Sequence, residues 1–457
     1  MPVSPLEARR GSGVQSSLVT SNPIDRRGFL RVVGGAAACA WFAPGQWGLA
    51  EGRRPRVAAL LTSFTFRSHA HVVLENFLEE YYFNGKLTDP GVDVVSFFSD
   101  QDQDADMLVN ASRKYKIPIF KTIADALTLG GDELAVDAVL SIGEHGHYGN
   151  NELGQTMYPR KRFFDEAVAV MKKSKRFVPI FNDKHLSYRW DWSKEMYDTA
   201  KELSIPFMAG SSVPLAVRRP ALELPDGAQI EEAVSIHGGG VESYDFHALE
   251  VLQSIVEFRK GGETGVSEVV FLDEKSLWKA ADDGLWSQEL ADAAIRSEFG
   301  DKPVDLRNFP DEGRSGPTHG LLVRYKDGFK AVIIAVGRSS VRWNFACRIK
   351  NDPKIHSTSY YVGPWENRNL FKALSHAIQH LFIHRKSPYP VERTLLVSGI
   401  LDAAMHSRSE KRAKRTPELE FGYEPIDFRV MREMGASWRI ITEAIPEPPG
   451  IDPNAGL

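Results

Sequence analysis

From Arg56 onward, short apolar runs alternate with longer amphipathic ones, the rhythm of a parallel sheet whose strands are joined by crossover helices. Residues 56–61, 92–98, 136–142, 177–181 and 205–208 read as buried strands. Residues 69–82, 104–116, 161–175 and 193–203 carry the spacing of amphipathic helices between them. The pattern predicts a Rossmann-like, doubly wound α/β unit over 55–215.

After Pro220 the texture changes. A proline-rich connector at 218–225 leads to longer apolar runs at 266–272, 321–325, 330–336 and 341–348, with turn signals such as Lys326-Asp327-Gly328 between them. These read as a largely antiparallel open sheet, and 371–384 and 394–405 as helices closing an α+β domain over 216–445. Residues 446–457 read as a tail.

Ahead of the first strand stands Asp25-Arg26-Arg27-Gly28-Phe29-Leu30-Arg31, followed by the uncharged run 32–43 and small residues at Gly48-Leu49-Ala50. Paired arginines in that setting read as a twin-arginine (Tat) export signal over 1–50, with the Tat machinery as partner and a periplasmic or other extracytoplasmic destination. The run is shorter than the ~20 residues that span a bilayer, so no stable membrane insertion is expected. Ala36-Ala37-Ala38-Cys39 only loosely resembles a lipoprotein box, because the position three before the cysteine is alanine. Cleavage would leave Cys347 alone and no intrachain disulfide. A net charge of -4 disfavours a nucleic-acid partner, and the basic run 407–415 reads as a solvated face.

Candidate chemistry gathers at the predicted strand ends. The turn after the first strand reads Thr62-Ser63-Phe64-Thr65-Phe66-Arg67-Ser68, with none of the glycines that let a backbone approach a pyrophosphate. Thr62, Ser63, Thr65 and Arg67 still offer hydroxyl and guanidinium donors to a phosphate, and Asp100 stands where a carboxylate would take ribose hydroxyls. Asn151, Glu152, Tyr158 and Arg160 could hydrogen-bond a polyol, Trp190 and Trp192 could stack on a sugar, and Ser211 and Ser212 lie near the expected crevice. A rival chemistry would join His145, His147, Asp183 and His185 around a divalent metal ion and use it for hydrolysis or elimination.

The segment order resembles the glucose-fructose oxidoreductase / inositol dehydrogenase-like (Gfo/Idh/MocA) family. The resemblance rests on Val136-Asp137-Ala138-Val139, Val178-Pro179-Ile180-Phe181-Asn182-Asp183-Lys184-His185, the glycine-rich segment 238–252 and Pro390-Val391-Glu392-Arg393-Thr394-Leu395-Leu396. It implies an NAD- or NADP-dependent oxidoreductase acting on a small carbohydrate, a sugar or polyol derivative. It places Lys184, from a segment similar to the family's Glu-Lys-Pro, beside the reacting oxygen, with Glu144, His145 and Asp183 around the nicotinamide. His247 falls on the family's acid/base histidine; the matching partner position is Ser243, and Asp245 is the nearby carboxylate. The second sheet is implied as the face of a homo-oligomer. A non-redox lyase or hydrolase, or a binding protein without catalysis, remains the alternative on the same scaffold.

Overall fold

The computed structural model describes residues 53–101, 107–309 and 317–450; the segment expected to be an export signal lies outside them. Its first half runs β1 (Arg56–Leu61), α1 (His69–Leu78), the hairpin β2 (Tyr81–Phe83) and β3 (Lys86–Thr88), β4 (Asp93–Ser99), α2 (Leu108–Tyr115), β5 (Ile119–Phe120), α3 (Ile123–Thr128), β6 (Ala138–Ile142), α4 (Arg160–Lys173), β7 (Ile180–Asp183), α5 (Trp190–Glu202) and β8 (Phe207–Gly210). The strands form one parallel sheet in the order β5-β4-β1-β6-β7-β8. Strand β6 is buried throughout, and in β1 only Arg56 is partly exposed, as helices on both faces require.

The second half adds β9 (Val217–Arg219), β10 (Ile230–Gly238), α6 (Asp245–Val256), β11 (Val266–Asp273), α7 (Glu274–Asp282), α8 (Gln288–Phe299), β12 (His319–Tyr325), β13 (Lys330–Ala335), β14 (Ser339–Ile349), β15 (Ile355–Tyr361), α9 (Asn367–His384), α10 (Val391–Glu410) and β16 (Lys414–Arg415). Its eight strands lie in the order β16-β11-β12-β13-β10-β14-β15-β9, antiparallel except for β10 against β13. The expected pair of sheets, one parallel and one largely antiparallel, is what the chain builds.

Three differences from the sequence reading have local causes. The expected helix 69–82 stops at Leu78, because Asn84-Gly85 takes left-handed backbone (φ 47° and 77°) and turns 81–88 into a hairpin. Strand β10 went unread because it is buried without a break from Ala233 to Gly238 and so has no alternation to betray it. Helices α7 and α8 occupy the unassigned stretch between Asp273 and His319, each opened by a side-chain cap, Asp273 to Ser276 N–H and Ser287 to Leu290 N–H.

One hydrophobic cluster joins α1, α6, α9 and α10 to the inner faces of both sheets, and a second fills the far side of the parallel sheet against α3, α4 and α5. A third lies on the outer face of the eight-stranded sheet, where Leu277, Trp286, Leu290, Ala294 and Ile295 cover Val234, Ile236, Leu322 and Ile334. That face of the sheet is covered by this chain's own α7 and α8. Leu290 is fully buried there, so Leu290→Ala should lower the unfolding free energy by about 2–5 kcal/mol in urea titrations.

Candidate active site

The parallel sheet reverses its winding between β1 and β6, and such sheets bind ligands beyond the carboxyl ends of their strands at that point. A cavity of about 450 Å³ lies there, within the range of small-molecule sites. His69 enters it from the start of α1, Glu144 and His145 from the loop after β6, and Lys184 and His185 from the loop after β7. The second sheet contributes Glu242 and Tyr244 before α6, His247 within it, and Trp343 from β14. Gly239 makes the close approach possible, because a Cβ there would lie 1.9 Å from the Tyr244 ring, which stacks on Trp343.

Backbone strain collects around this cavity. Arg67, His145, Lys184, Glu242 and Glu366 all line it with left-handed backbone, at φ 62°, 72°, 66°, 69° and 50°. Each such residue costs about 1–3 kcal/mol and is held only where its surroundings over-determine it.

Burial by itself would push the Glu144 carboxyl up, but Lys184 and Arg160 overcome it and hold Glu144 well below the usual carboxylate range. Lys184 Nζ lies 3.3 Å from Oε1, and Arg160 donates to Oε2. Lys184 also donates to the Ser243 carbonyl at 3.2 Å, tying the two sheets' loops together.

Beside this pair, His69 Nδ1 lies 2.6 Å from Oδ2 of buried Asp183. A carboxylate on Nδ1 keeps the proton there and leaves Nε2 with its lone pair, the arrangement of an oriented general base. His247 has no such support: its Nδ1 faces Ser211 Oγ at 2.6 Å, and burial, with the Lys184 charge, pushes its imidazole well below the ordinary value.

Asp245 does not back His247. Its Oδ1 lies 2.9 Å from Nε2 of both His237 and His319, and its Oδ2 accepts the Glu242 N–H at 2.8 Å. Residues two apart on a helix point to different sides, so Asp245 is turned away from His247.

His237, Asp245 and His319 are the group among the described residues with metal-ligand spacing. Their hydrogen bonds fill it with protons instead. His237 Nδ1 accepts the Gly239 N–H at 3.2 Å, which puts its ring proton on Nε2. His319 faces the Pro317 carbonyl with Nδ1 at 2.9 Å and the carboxylate with Nε2, so both of its nitrogens are donors. Burial would lower His319, but the Asp245 carboxylate outweighs it and raises the imidazole, making a buried imidazolium-carboxylate pair.

The metal group expected from the sequence does not assemble. His145 Nδ1 takes the His69 N–H at 3.4 Å, Asp183 is engaged by His69, and His185 Nε2 takes an N–H from Arg160 at 3.1 Å. His147 bonds to Gln101 through its backbone. These side chains are dispersed because each strand-end loop satisfies them with a different neighbour.

The residues expected around a dinucleotide divide. Glu144 and His145 line the cavity and Asp183 orients His69, whereas Thr62, Ser63, Thr65 and Asp100 do not line it. Thr62 donates to the Glu144 carbonyl at 2.6 Å, the Ser63 hydroxyl is buried, and the Thr65 carbonyl accepts the Ser68 N–H. Asp100 takes the Tyr148 hydroxyl at 2.7 Å and an N–H from Arg162. At the start of α1 the Arg67 N–H goes to His71 Nδ1 at 2.8 Å and the His71 N–H to Ser68 Oγ at 3.3 Å. Backbone donors there are taken, yet an anion is present: Arg67 and Arg368 clamp the Glu447 carboxylate at 2.5 and 3.2 Å. The two guanidiniums have the chemistry to hold a phosphate, with Glu447 as the stand-in.

Of the weaker candidates, Tyr158 and Ser212 line the cavity, Arg160 holds Glu144 and Ser211 holds His247. Asn151 is bonded to Gln155 within its loop and Glu152 is exposed. Trp190 packs on Phe421, and Trp192 lies against Tyr188 and Arg189. Sequence reasoning missed His69, absorbed into a helix pattern, and Glu242, whose environment exists only once both sheets meet.

No protein-family model and no curated protein sequence matches the chain. Solved structures do share its fold. GenD2 from gentamicin A biosynthesis, in complex with NAD, superposes with a TM-score of 0.52 at 10% identity, over 80% of this chain and 98% of that one. The scyllo-inositol dehydrogenase from Lactobacillus casei with bound NAD(H) and scyllo-inositol superposes at 0.50 with 8% identity, over 79% and 99%. At such identities the likeness is one of fold, and it is the two-sheet architecture that the resemblance implied.

Asp245→Asn removes the counter-charge of His319 and should destabilise the protein by about 3–5 kcal/mol near pH 6. Because His319 is raised on folding, its contribution is complete below the unfolded value of 6.5 and is lost as pH rises through the folded one. Thermal unfolding followed upward from about pH 6 should show the wild-type Tm falling more steeply than that of D245N.

Proposed function

We propose that the chain is an exported oxidoreductase acting on a CH–OH group of a sugar or polyol derivative, with NAD or NADP as cofactor. The observation that carries this reading is the His69–Asp183 dyad opening on the cavity beside Lys184. His69 Nε2 takes the hydroxyl proton, and Lys184 donates to the oxygen as negative charge develops on it. Glu144 keeps the Lys184 ammonium in place. A nicotinamide, when bound, supplies the hydride acceptor, and Arg67 and Arg368 are the groups that would hold its phosphate charge. The two solved structures named above, both holding NAD on this fold, support the cofactor. The Arg26-Arg27 motif supports export, with the cofactor loaded beforehand.

One observation favours a second reading. With Glu447 between Arg67 and Arg368 and no glycine in the first turn, the groove beside α1 is filled by the chain itself. The same acid and base groups would then serve a redox-neutral lyase or hydrolase on carbohydrate.

Native mass spectrometry of the full chain, with NAD and NADP titrations, separates the two. The redox reading expects a retained or titratable dinucleotide, and a roughly tenfold tighter Kd, about 1.4 kcal/mol, in Glu447→Gln, which removes the carboxylate shared by both arginines. No dinucleotide in either protein would leave the redox-neutral reading. Lys184→Ala should cut kcat by roughly 10²–10³ while leaving dinucleotide content unchanged, and undiminished turnover would take Lys184 out of the mechanism.

A further inference from the structure

Two buried carboxyl groups of the cavity, Glu144 and Glu242, stand in opposite circumstances. Both nearby cations, Lys184 and Arg160, are directed at Glu144. Glu242 sits in the loop between β10 and α6, buried, with left-handed backbone (φ 69°) fixed by its N–H to Asp245. Its Oε1 is enclosed without a hydrogen-bond partner among the described residues. The nearest polar atom recorded is His185 Nε2, 3.4 Å away.

That contact defines where a proton must be. His185 Nε2 accepts an N–H from Arg160 Nη1 at 3.1 Å, so it presents a lone pair and has no proton to give. An ionised Glu242 would face an acceptor nitrogen and find no donor there in a buried place. A carboxylic acid avoids burying a charge without a donor. Burial and the Arg160 charge hold His185 neutral, in keeping with this.

We propose that Glu242 is a catalytic acid of this site, a carboxylic acid that gives its proton to an oxygen of the bound carbohydrate. The inference rests on the reading of the cavity as an active site; in the redox chemistry it applies to the carbonyl-reducing direction, and in the redox-neutral chemistry to the departing oxygen. In the step, the Glu242 O–H bond breaks and its electron pair stays on the carboxylate. The proton bonds to a lone pair of the ligand oxygen as that oxygen takes the electron pair of a carbonyl π bond, whose carbon receives hydride from a reduced nicotinamide dinucleotide, or of a breaking C–O bond, whose carbon receives the electron pair of a neighbouring C–H bond as that proton leaves to His69 Nε2. After product leaves, Glu242 is reprotonated from water through the cavity, and the proton transfer itself consumes no oxidant or reductant.

The groups that face Glu242 come from every wall. Arg160 of α4 and Lys184 after β7 lower it, while Glu144 after β6 and Asp245 of α6 raise it, with neutral His185 in contact. Burial is the largest influence, and together they place the carboxyl at about 7. A carboxylic acid raised in this way keeps its proton below about pH 7 and loses it above. Activity that needs the acid should therefore fall on the alkaline side.

Infrared difference spectroscopy of the ligand-free full chain tests the proton directly. The expected result is a protonated-carboxyl band that disappears as pH rises through about 7 and is absent in Glu242→Gln. Glu250, also raised to about 7 by burial, supplies a second band, which Glu250→Gln removes and E242Q leaves. No E242Q-sensitive band at neutral pH overturns the proposal, whether or not the enzyme has been given a substrate. Turnover is then read in the reducing direction, on the keto form of scyllo-inositol with NADH. E242Q should lose at least a hundredfold in kcat with KM little changed, and its alkaline limb should vanish. Undiminished kcat in E242Q overturns the catalytic role. A wild type that does not turn over this probe but keeps the band refutes the substrate reading and supports the protonated carboxyl.

Discussion

The buried carboxylate of Glu144 is the interaction around which the site is arranged. A lone carboxylate cannot be taken out of water at that depth, and breaking a buried pair costs about 3–5 kcal/mol because it strands the remaining charge. Arg160, at the first turn of α4, and Lys184, on the loop after β7, both close on it. That commitment sets the neighbours. Arg160 turns a second N–H to His185 and keeps it neutral, Lys184 reaches the Ser243 carbonyl, and Glu242 is left as the carboxyl without a counter-ion. One ion cluster thus fixes one charged and one proton-bearing carboxyl at the same cavity.

The second sheet holds its half of the site by a different buried pair. His319 and His237 converge on Asp245, whose other oxygen takes the Glu242 N–H. The loop before α6 is therefore fastened by an imidazolium on β12 and an imidazole on β10, which hold the left-handed backbone of Glu242. The parallel sheet stabilises Lys184 and His145 in the same conformation at its strand ends. Rigid strands on each side are what permit strain between them.

Much of the parallel half was legible because its strands are short apolar runs bounded by polar turns, and the ends of those runs located Lys184 and Asp183. The antiparallel half was legible only where a turn such as Lys326-Asp327-Gly328 marked a boundary. Strand β10 has no alternation because both of its faces are covered, by α6 on one side and by the cluster under α7 and α8 on the other. Function was harder to read for a related reason. The partner of His69 is 114 residues away at Asp183, and the anion facing Arg67 is 380 residues away at Glu447. Local spacing carries no trace of such pairs. The Asp245–His247 spacing, which is local, misled, because a helix turns those side chains apart.

The missing glycines also have a physical explanation in the turn itself. Phe64, where backbone would otherwise approach a phosphate, is turned inward against Phe97 and fully buried. Arg67 adopts the left-handed conformation that a glycine would hold more cheaply, and its N–H is absorbed by His71. The helix start is thereby capped by its own side chains, so an anion there must be held by guanidinium charge and not by backbone amides. Such binding lacks the close backbone cradle of a glycine loop and is exposed to competition from any carboxylate that reaches the same arginines. Glu447 is the carboxylate that reaches both arginines in this chain, with Glu366 also on Arg67 and Glu75 on Arg368. Occupancy of the groove is therefore coupled to where the segment around Glu447 lies, a dependence that a glycine-rich turn would not impose.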